Sequence, residues 1–81
     1  MNWTLSWSLV AERDLLSMSS WRVAAKVDAA VMNFVATGQG AERMNPSDPR
    51  QLRIRVTGAD ARLYLDPETR TVYVVRVFRR D

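Results

Sequence analysis

Apolar and polar side chains alternate along the last third of the chain, a pattern typical of β-strands with one buried face. In residues 51–56, for example, Leu52 and Ile54 are separated by polar neighbours. Residues 61–66 continue the alternation after a short gap. Residues 71–78 are almost continuously apolar, which predicts a central strand covered on much of both sides. The chain is therefore expected to end in three consecutive strands.

The polar positions of these strands define a second, charged surface. If the apolar residues face one core, with Val75 and Val77 directed inward, the intervening side chains share the opposite, solvated side of the sheet. We call this surface the arginine face. Its expected members are Arg53, Arg55, Arg62, Tyr64, Arg76, Phe78 and Arg80.

The first half of the chain predicts a short strand followed by a helix. Residues 2–8 alternate large apolar with small polar side chains, so the two tryptophans among them are expected in the core. The Ser8 hydroxyl suits an N-cap for a helix that begins at Leu9. The charged residues of this helix, including Asp14, are expected on its outer side. Its expected apolar side consists of Leu9, Ala11, Leu15, Leu16 and Met18.

A second helix is predicted from about Trp21, with one of the preceding serines as its N-cap and Gly38 as its end. Its apolar stripe has helical spacing and should cover the sheet. The stripe consists of Val23, Val27, Ala30, Val31, Phe34 and Val35. The serine-rich join permits either a hairpin of two helices or one bent helix.

Residues 38–50 are rich in turn-forming side chains and are expected to form a loop. Hairpin turns are predicted around Gly58 and Pro67. The acids near these turns and at the terminus, Asp60, Asp66, Glu68 and Asp81, are assigned to loops. The predicted fold is one α+β domain over residues 1–81, in the order β-α-α-β-β-β. Two N-terminal helices should pack on a small curved, mostly antiparallel four-stranded sheet.

Composition narrows the possible chemistry. The chain has 81 residues and no cysteine, so it has neither a disulfide framework nor a thiolate metal site. It also has no histidine, which removes the commonest general base, the Ser-His and Cys-His nucleophile systems, and imidazole ligands. We therefore expect no metal and no cofactor.

Positive charge is concentrated in the strand-rich part. Residues 1–49 contain four basic and five acidic side chains, whereas residues 50–81 contain eight arginines and four acids. Arginine presents a planar fork of donors that binds phosphate in a bidentate way, so a polyanion is the natural partner. The simpler alternative, that the arginines only keep a wet sheet face soluble, remains open.

The sequence has no feature expected of a secreted or membrane-bound protein. Glu12, Arg13 and Asp14 interrupt the N-terminal apolar run, which argues against a signal peptide. No stretch approaches the roughly 20 apolar residues needed to span a bilayer. A cytoplasmic protein is expected, without a membrane partner.

Five segments follow one another along nearly the whole chain. They are the tryptophan-bearing first strand, AERDLL at residues 11–16, LRIRV at residues 52–56, ARLYLD at residues 61–66 and VVRVFRR at residues 74–80. Together, in this order, they resemble the RelE/ParE toxin superfamily of bacterial type II toxin–antitoxin systems.

The resemblance implies that the first strand pairs beside the last and that a cognate antitoxin wraps the protein. In the RelE branch it implies cleavage of mRNA in the ribosomal A site, with basic residues of the sheet stabilising the transition state. The positions that match the RelE motif are Arg53, Arg55, Arg62 and Arg80. Arg62 and Arg80 are the candidate catalytic residues, together with Tyr64, the phenol that the alternation places on the same face. The candidate RNA-binding residues are Arg53, Arg55, Arg76, Phe78 and Arg79.

The sequence also departs from the RelE pattern. It lacks the histidine at the end of the last strand, where Phe78 and Arg79 stand, and the tyrosine that many RelE-like nucleases carry beyond it. Guanidinium does not lose its proton at neutral pH, so the signal for phosphate binding is better than the signal for catalysis. Two alternatives stay open: a ParE-like poison of DNA gyrase, and a degenerate module that only binds an antitoxin.

Overall fold

The computed structural model describes residues 2–80 as two helices and a five-stranded sheet. The elements are β1 (Thr4–Trp7), α1 (Leu9–Leu16), α2 (Trp21–Thr37), β2 (Glu42–Asn45), β3 (Asp48–Val56), β4 (Ala59–Asp66) and β5 (Thr71–Arg79). The strand order is β1-β5-β4-β3-β2. β1 runs parallel to β5, and all other neighbouring strands are antiparallel. The predicted α+β class and the pairing of the first strand with the last are confirmed.

The predicted number of strands is wrong by one. Part of the expected loop at residues 38–50 is β2, which forms a hairpin with β3. Asn45 and Asp48 pair across the turn, and the Asn45 side chain accepts hydrogen bonds from the Ser47 backbone N–H and hydroxyl. β2 is a short edge strand without apolar alternation, so its sequence reads as a loop.

Both helices begin where their capping serines predict, and α2 ends at the predicted glycine. The Ser8 hydroxyl accepts a hydrogen bond from the Ala11 N–H, and the Ser20 hydroxyl accepts one from the Val23 N–H. Gly38 ends α2 in the left-handed conformation, with φ of 75°. Residues 17–20 separate the helices, so the join is a hairpin rather than a bend in one helix.

The hydrophobic core lies between one face of the sheet and the two helices. α1 packs against β5, and α2 packs against β3 and β4. The predicted stripe of α2 is confirmed, because its central members are buried and the others pack against the core. The buried residues are Ala11, Val27, Val31, Phe34, Leu52, Ile54, Ala59, Ala61, Leu63, Val72, Val74 and Val77. The apolar residues of β1 pack around this cluster, as expected.

A β-bulge changes the predicted facing of β5. Arg62 pairs with Arg76, but the next residue of β4 pairs with Val74, so Val75 is an extra residue without an opposite partner. Val75 was expected in the core and is instead 41% exposed, while Val74 is fully buried. A period-two pattern does not reveal an inserted residue. The predicted facing of the β5 side chains before the bulge is therefore inverted. As a result, Tyr73 lies on the exposed side.

The orientation of α1 also differs from the prediction. Leu9 and Leu16 were placed on its apolar side but are 63% and 85% exposed. The side turned towards the protein carries Ala11, Leu15 and the partly buried Asp14. These positions are three and four residues apart and therefore share one face of the helix. Asp14 thus faces β5 rather than solvent.

The turn between β3 and β4 requires glycine. Gly58 has φ of 95°, and a Cβ atom there would lie 3.0 Å from Cγ2 of Val23 on α2. Both the backbone conformation and the close approach of α2 favour a residue without a side chain. The absence of a side chain at Gly58 therefore leaves room for the close approach of α2.

Within residues 2–80, neither helix is both long and apolar enough to cross a membrane.

Candidate nucleic-acid interface

The arginine face lies on the side of the sheet opposite the helices. Arg53, Arg62 and Arg76 are paired in register across β3, β4 and β5, so three guanidinium groups form a row over adjacent strands. Neighbouring strands lie about 4.8 Å apart, a spacing that long side chains bridge easily. The structure therefore brings the predicted arginines of three separate segments together.

Glu42 on β2 contacts two of these arginines. Its Oε1 atom lies 2.8 Å from Nε of Arg53 and 3.0 Å from Nε of Arg55. Glu42 pairs directly with Arg53 in the β2–β3 hairpin, which places its side chain on the arginine face. Nothing in the sequence distinguishes Glu42 from a loop residue, so sequence reasoning missed it.

Asp14 on α1 holds Arg76. Its carboxylate accepts hydrogen bonds from Nε and Nη2 of Arg76 at 2.8 and 3.3 Å, and from the Val77 N–H at 2.9 Å. β1 ends opposite Val74, so it does not reach the Val77 N–H of β5. The Asp14 carboxylate accepts the hydrogen bond of this backbone donor instead. The hydrogen bonds from Arg76 lower the pKa of Asp14 below its ordinary value of 3.8, and the same pair raises the pKa of Arg76.

We expect the Asp14 carboxylate to make the free energy of unfolding decrease at acid pH. Because its pKa is lower in the folded protein, its stabilising contribution is complete above its ordinary pKa and disappears as the pH falls through the lower, folded value. Asp14→Asn, which keeps an acceptor for the Val77 N–H, should flatten the loss of unfolding free energy below about pH 4. Urea unfolding at a series of pH values measures this effect. Asp28→Asn, at an exposed site on α2, is the matched control. Parallel curves for wild type and Asp14→Asn would contradict the assignment.

Arg80 and Arg55 border an open groove at the β3–β4 turn. The groove has a volume of about 800 Å³ and is lined by both arginines and residues 56–58. Nη1 of Arg80 lies 3.3 Å from Oδ1 of Asp60, on β4. Asp60 was assigned to a turn, but it is a strand residue two positions from Arg62 on the same face. If the alternation of β4 is extended back by two residues in the sequence, it places Asp60 on the arginine face.

Phe78 is covered by arginine side chains. The guanidinium carbon of Arg62 lies 4.5 Å from the ring centroid, and that of Arg76 lies 5.0 Å away. Both distances are within the range of cation–π attraction. Among residues 2–80, Arg62 makes no salt bridge, so its charge is the least compensated of the five on the face. The Phe78 ring therefore supports an arginine that remains able to bind an anion.

Tyr64 lies beside a hollow of about 240 Å³ near the centre of the arginine face, bordered also by Arg62, Arg76 and the bulged Val75. The ring is 37% exposed. Its hydroxyl also lies near Arg50, and this contact raises the pKa of Arg50 above its ordinary value. The structure thus places Tyr64 on the arginine face as expected, and its catalytic role stays a prediction.

Arg79 lies apart from this surface. Arg79 pairs with the buried Ala59 and lines a groove with Asp14, Ser17 and Met18, on the helix side of the sheet. Arg79 is thus separated from the arginines of the face, and its predicted contact with RNA would lie on a different side of the sheet. Asp81, the last of the assigned acids, lies outside the described residues.

The face as a whole combines five arginines with three carboxylates. Guanidinium groups in fixed positions bind phosphate oxygens and stabilise negative charge that develops on them. Within residues 2–80, the carboxylates that contact the arginines of the face belong to Glu42, Asp60 and Asp14, and each forms a salt bridge with at least one arginine. The geometry favours binding of a phosphodiester backbone more clearly than it identifies a general base.

No protein-family model matches the sequence, and no curated protein matches it. Solved structures do match. A RelBE toxin–antitoxin complex from Mycobacterium tuberculosis superimposes with a TM-score of 0.81 at 20% identity, covering 99% of this chain and 100% of the other. The isolated RelE toxin from E. coli gives 0.80 at 14% identity, covering 98% and 85%. A chromosomal ParDE system from P. aeruginosa gives 0.59 at 17% identity, covering 98% and 97%.

These similarities extend over nearly the full length of each chain, but all are at or below 20% identity, so they establish the fold. They confirm at that level the resemblance drawn from the sequence. The chain has the fold of the RelE/ParE toxin superfamily.

Proposed function

We propose that this protein is the toxin of a type II toxin–antitoxin module and inhibits translation by cleaving mRNA on the ribosome. The observation that carries the proposal is the row formed by Arg53, Arg62 and Arg76 over three adjacent strands. A row of guanidinium groups matches the repeating phosphates of a single-stranded backbone. Support also comes from the structural neighbours, which include a RelBE toxin–antitoxin complex and the isolated RelE toxin from E. coli.

The proposed reaction is attack by a ribose 2′-hydroxyl on the adjacent phosphorus. The bond from phosphorus to the 5′-oxygen breaks, leaving a 2′,3′-cyclic phosphate and a new 5′-hydroxyl. Negative charge increases on the phosphate oxygens in the transition state, where Arg62 and Arg80 would stabilise it. Tyr64 is the proposed proton donor to the leaving oxygen, because it borders the same hollow as Arg62. The 2′-hydroxyl proton would pass to ribosomal RNA or to a face carboxylate.

A cognate antitoxin is the proposed protein partner. Several of the structural neighbours are complexes of a toxin with its antitoxin. The surface of this chain offers such a partner large exposed apolar side chains on the helices, including Leu9, Leu16, Trp21 and Met32. Contiguous exposed apolar patches mark protein interaction sites, so these side chains are the proposed contacts for the antitoxin.

Controlled expression of the chain alone, with global mapping of RNA 5′ ends and a parallel assay for DNA breaks, tests the proposal. New 5′ ends inside translated codons are the expected result. DNA breaks with intact mRNA would overturn it in favour of a gyrase poison. Unimpaired growth with neither lesion would overturn it in favour of a module that only binds an antitoxin.

A further inference from the structure

The contact between Glu42 and two arginines has the geometry of a bound oxyanion. A single oxygen, Oε1 of Glu42, lies 2.8 Å from Nε of Arg53 and 3.0 Å from Nε of Arg55. The two arginines are two residues apart on β3 and converge on this one atom. A carboxylate oxygen held between guanidinium groups occupies the position that a phosphate oxygen of a ligand would take.

We propose that Glu42 is an internal competitor of RNA. In the free protein it occupies the Arg53–Arg55 site, and binding of a single-stranded RNA backbone requires a phosphate to displace it. Glu42 thereby sets the affinity of the arginine face for RNA. This inference rests on the proposed function, because it assumes that RNA is the ligand of that face.

The exposure of the site makes this exchange feasible. The side chains of Arg53, Arg55 and Glu42 are 33%, 48% and 52% exposed, so all three reach solvent. Ion pairs with this exposure are weak and exchange readily with other anions. A deeply buried pair would instead resist displacement, because breaking it would leave an uncompensated charge.

The position of Glu42 in the fold also allows it to move. β2 is a four-residue edge strand, and its pairing with β3 shifts register directly after Arg43. Asp14 differs in this respect, since it also accepts a hydrogen bond from the β5 backbone. The partner of Arg76, Asp14, is therefore fixed to the sheet. The shared partner of Arg53 and Arg55, Glu42, lies on an edge strand that pairs only with β3.

The test compares the binding of a short fluorescent RNA with 2′-O-methyl riboses, which cannot be cleaved, to wild type, Glu42→Gln and Glu12→Gln. Glu12 is an exposed acid on α1 that lies away from the arginine face, so its replacement makes the same change in net charge. We expect Glu42→Gln to bind the RNA about four- to tenfold more tightly at low salt, because the substitution removes a negative charge some 5 Å from the negatively charged phosphate. Glu12→Gln should change affinity less than twofold, because its charge is distant and screened.

The salt dependence gives a second readout. Each additional phosphate contact should steepen the slope of log affinity against log salt by about 0.7 for a single strand. Because RNA displaces Glu42 in the wild type, wild type and Glu42→Gln make the same phosphate contacts in the complex, and their slopes should differ by less than about 0.7. A slope steeper by about 0.7 to 1.4 in Glu42→Gln would mean that RNA leaves Glu42 in place in the wild type, which would overturn the inference. Replacing both Arg53 and Arg55 with glutamine should abolish the gain from Glu42→Gln.

An NMR measurement on the wild-type protein covers the case in which Glu42→Gln does not fold. RNA should shift the Nε–Hε resonances of Arg53 and Arg55 as their partner changes from carboxylate to phosphate. Equal affinities of Glu42→Gln and Glu12→Gln, or unshifted resonances on RNA binding, would overturn the inference. Neither result would affect the proposed function, which mRNA cleavage by the wild-type protein tests independently. Conversely, Glu42→Gln could bind RNA more tightly while the wild-type protein cleaves no mRNA. That result would support displacement of Glu42 by phosphate and would contradict the proposed nuclease activity.

Discussion

Replacing Arg62 with alanine is expected to lower the rate of mRNA cleavage by about 100-fold or more, because one preorganised charge that stabilises a transition state is typically worth this much. Arg62 lies at the centre of the row on β3, β4 and β5. Among residues 2–80 it is the face arginine without a carboxylate partner. Its charge is therefore the most available to a phosphate.

The fold of Arg62→Ala should remain intact. Arg62 is exposed, and its contact within the protein is with the face of the Phe78 ring. Loss of an exposed cation–π contact costs about 0.5–1 kcal/mol, a small part of the stability of a domain of this size. Reduced toxicity would then reflect lost chemistry rather than unfolding, and a thermal melt checks this.

Arg13→Ala is the matched control for Arg62→Ala. Arg13 is an exposed arginine on α1, so its loss changes the net charge equally without touching the arginine face. Toxicity should be unchanged in Arg13→Ala. If Arg62→Ala stayed as toxic as Arg13→Ala, the active surface would have to lie elsewhere on the molecule.

Phe34→Ala is expected to destabilise the protein by about 3–5 kcal/mol, the usual effect of removing a buried phenyl ring. Phe34 is 4% exposed and belongs to the core between α2 and the sheet. A domain of 81 residues has a total stability of roughly 4–12 kcal/mol, so this one change removes a large part of it.

Urea unfolding of Phe34→Ala and Met32→Ala measures the difference between a buried and an exposed site on the same helix. Met32 is 53% exposed, and its replacement should cost less than about 1 kcal/mol. A loss below about 1 kcal/mol for Phe34→Ala as well would mean that α2 is not packed against the sheet as described.

The parts of the fold that the sequence predicts correctly are those with strong local signals. Serine caps and a terminating glycine define the helices, and the apolar stripe of α2 identifies its buried face. In β3 and β4, strict alternation separates Leu52 and Ile54 from Arg53, and the structure has the same two faces. These signals depend only on near neighbours in the chain, so they can be recognised without tertiary information.

The parts that the sequence does not predict depend on distant contacts. The bulge at Val75 is visible only in the pairing of β5 with β4. Asp14 looks like an outward-facing helix residue until β1 is seen to end opposite Val74, leaving the Val77 N–H for its carboxylate. Likewise, Glu42 joins the arginine face only because β2 pairs with β3. Asp14 and Glu42 are therefore assigned to the wrong environment for lack of tertiary information, whereas the strand position of Asp60 is recognisable from the local alternation of β4.

The carboxylates beside the arginine face change the relative importance of its arginines. The sequence indicated five arginines on one surface, but the structure pairs four of them with carboxylates. The face is thus less positive than its arginine count suggests, and Arg62 gains in importance relative to the others. Which arginines dominate RNA binding was accessible only from the positions of the acids.

The most direct test of the central claim is a cleavage assay with purified ribosomes stalled on a defined mRNA, with 5′ ends mapped by primer extension. The account predicts new ends within the A-site codon for the wild-type protein, and at least about 100-fold slower cleavage for Arg62→Ala. Intact mRNA on the ribosome at protein concentrations that arrest growth would contradict it, and would leave the arginine face without the proposed activity.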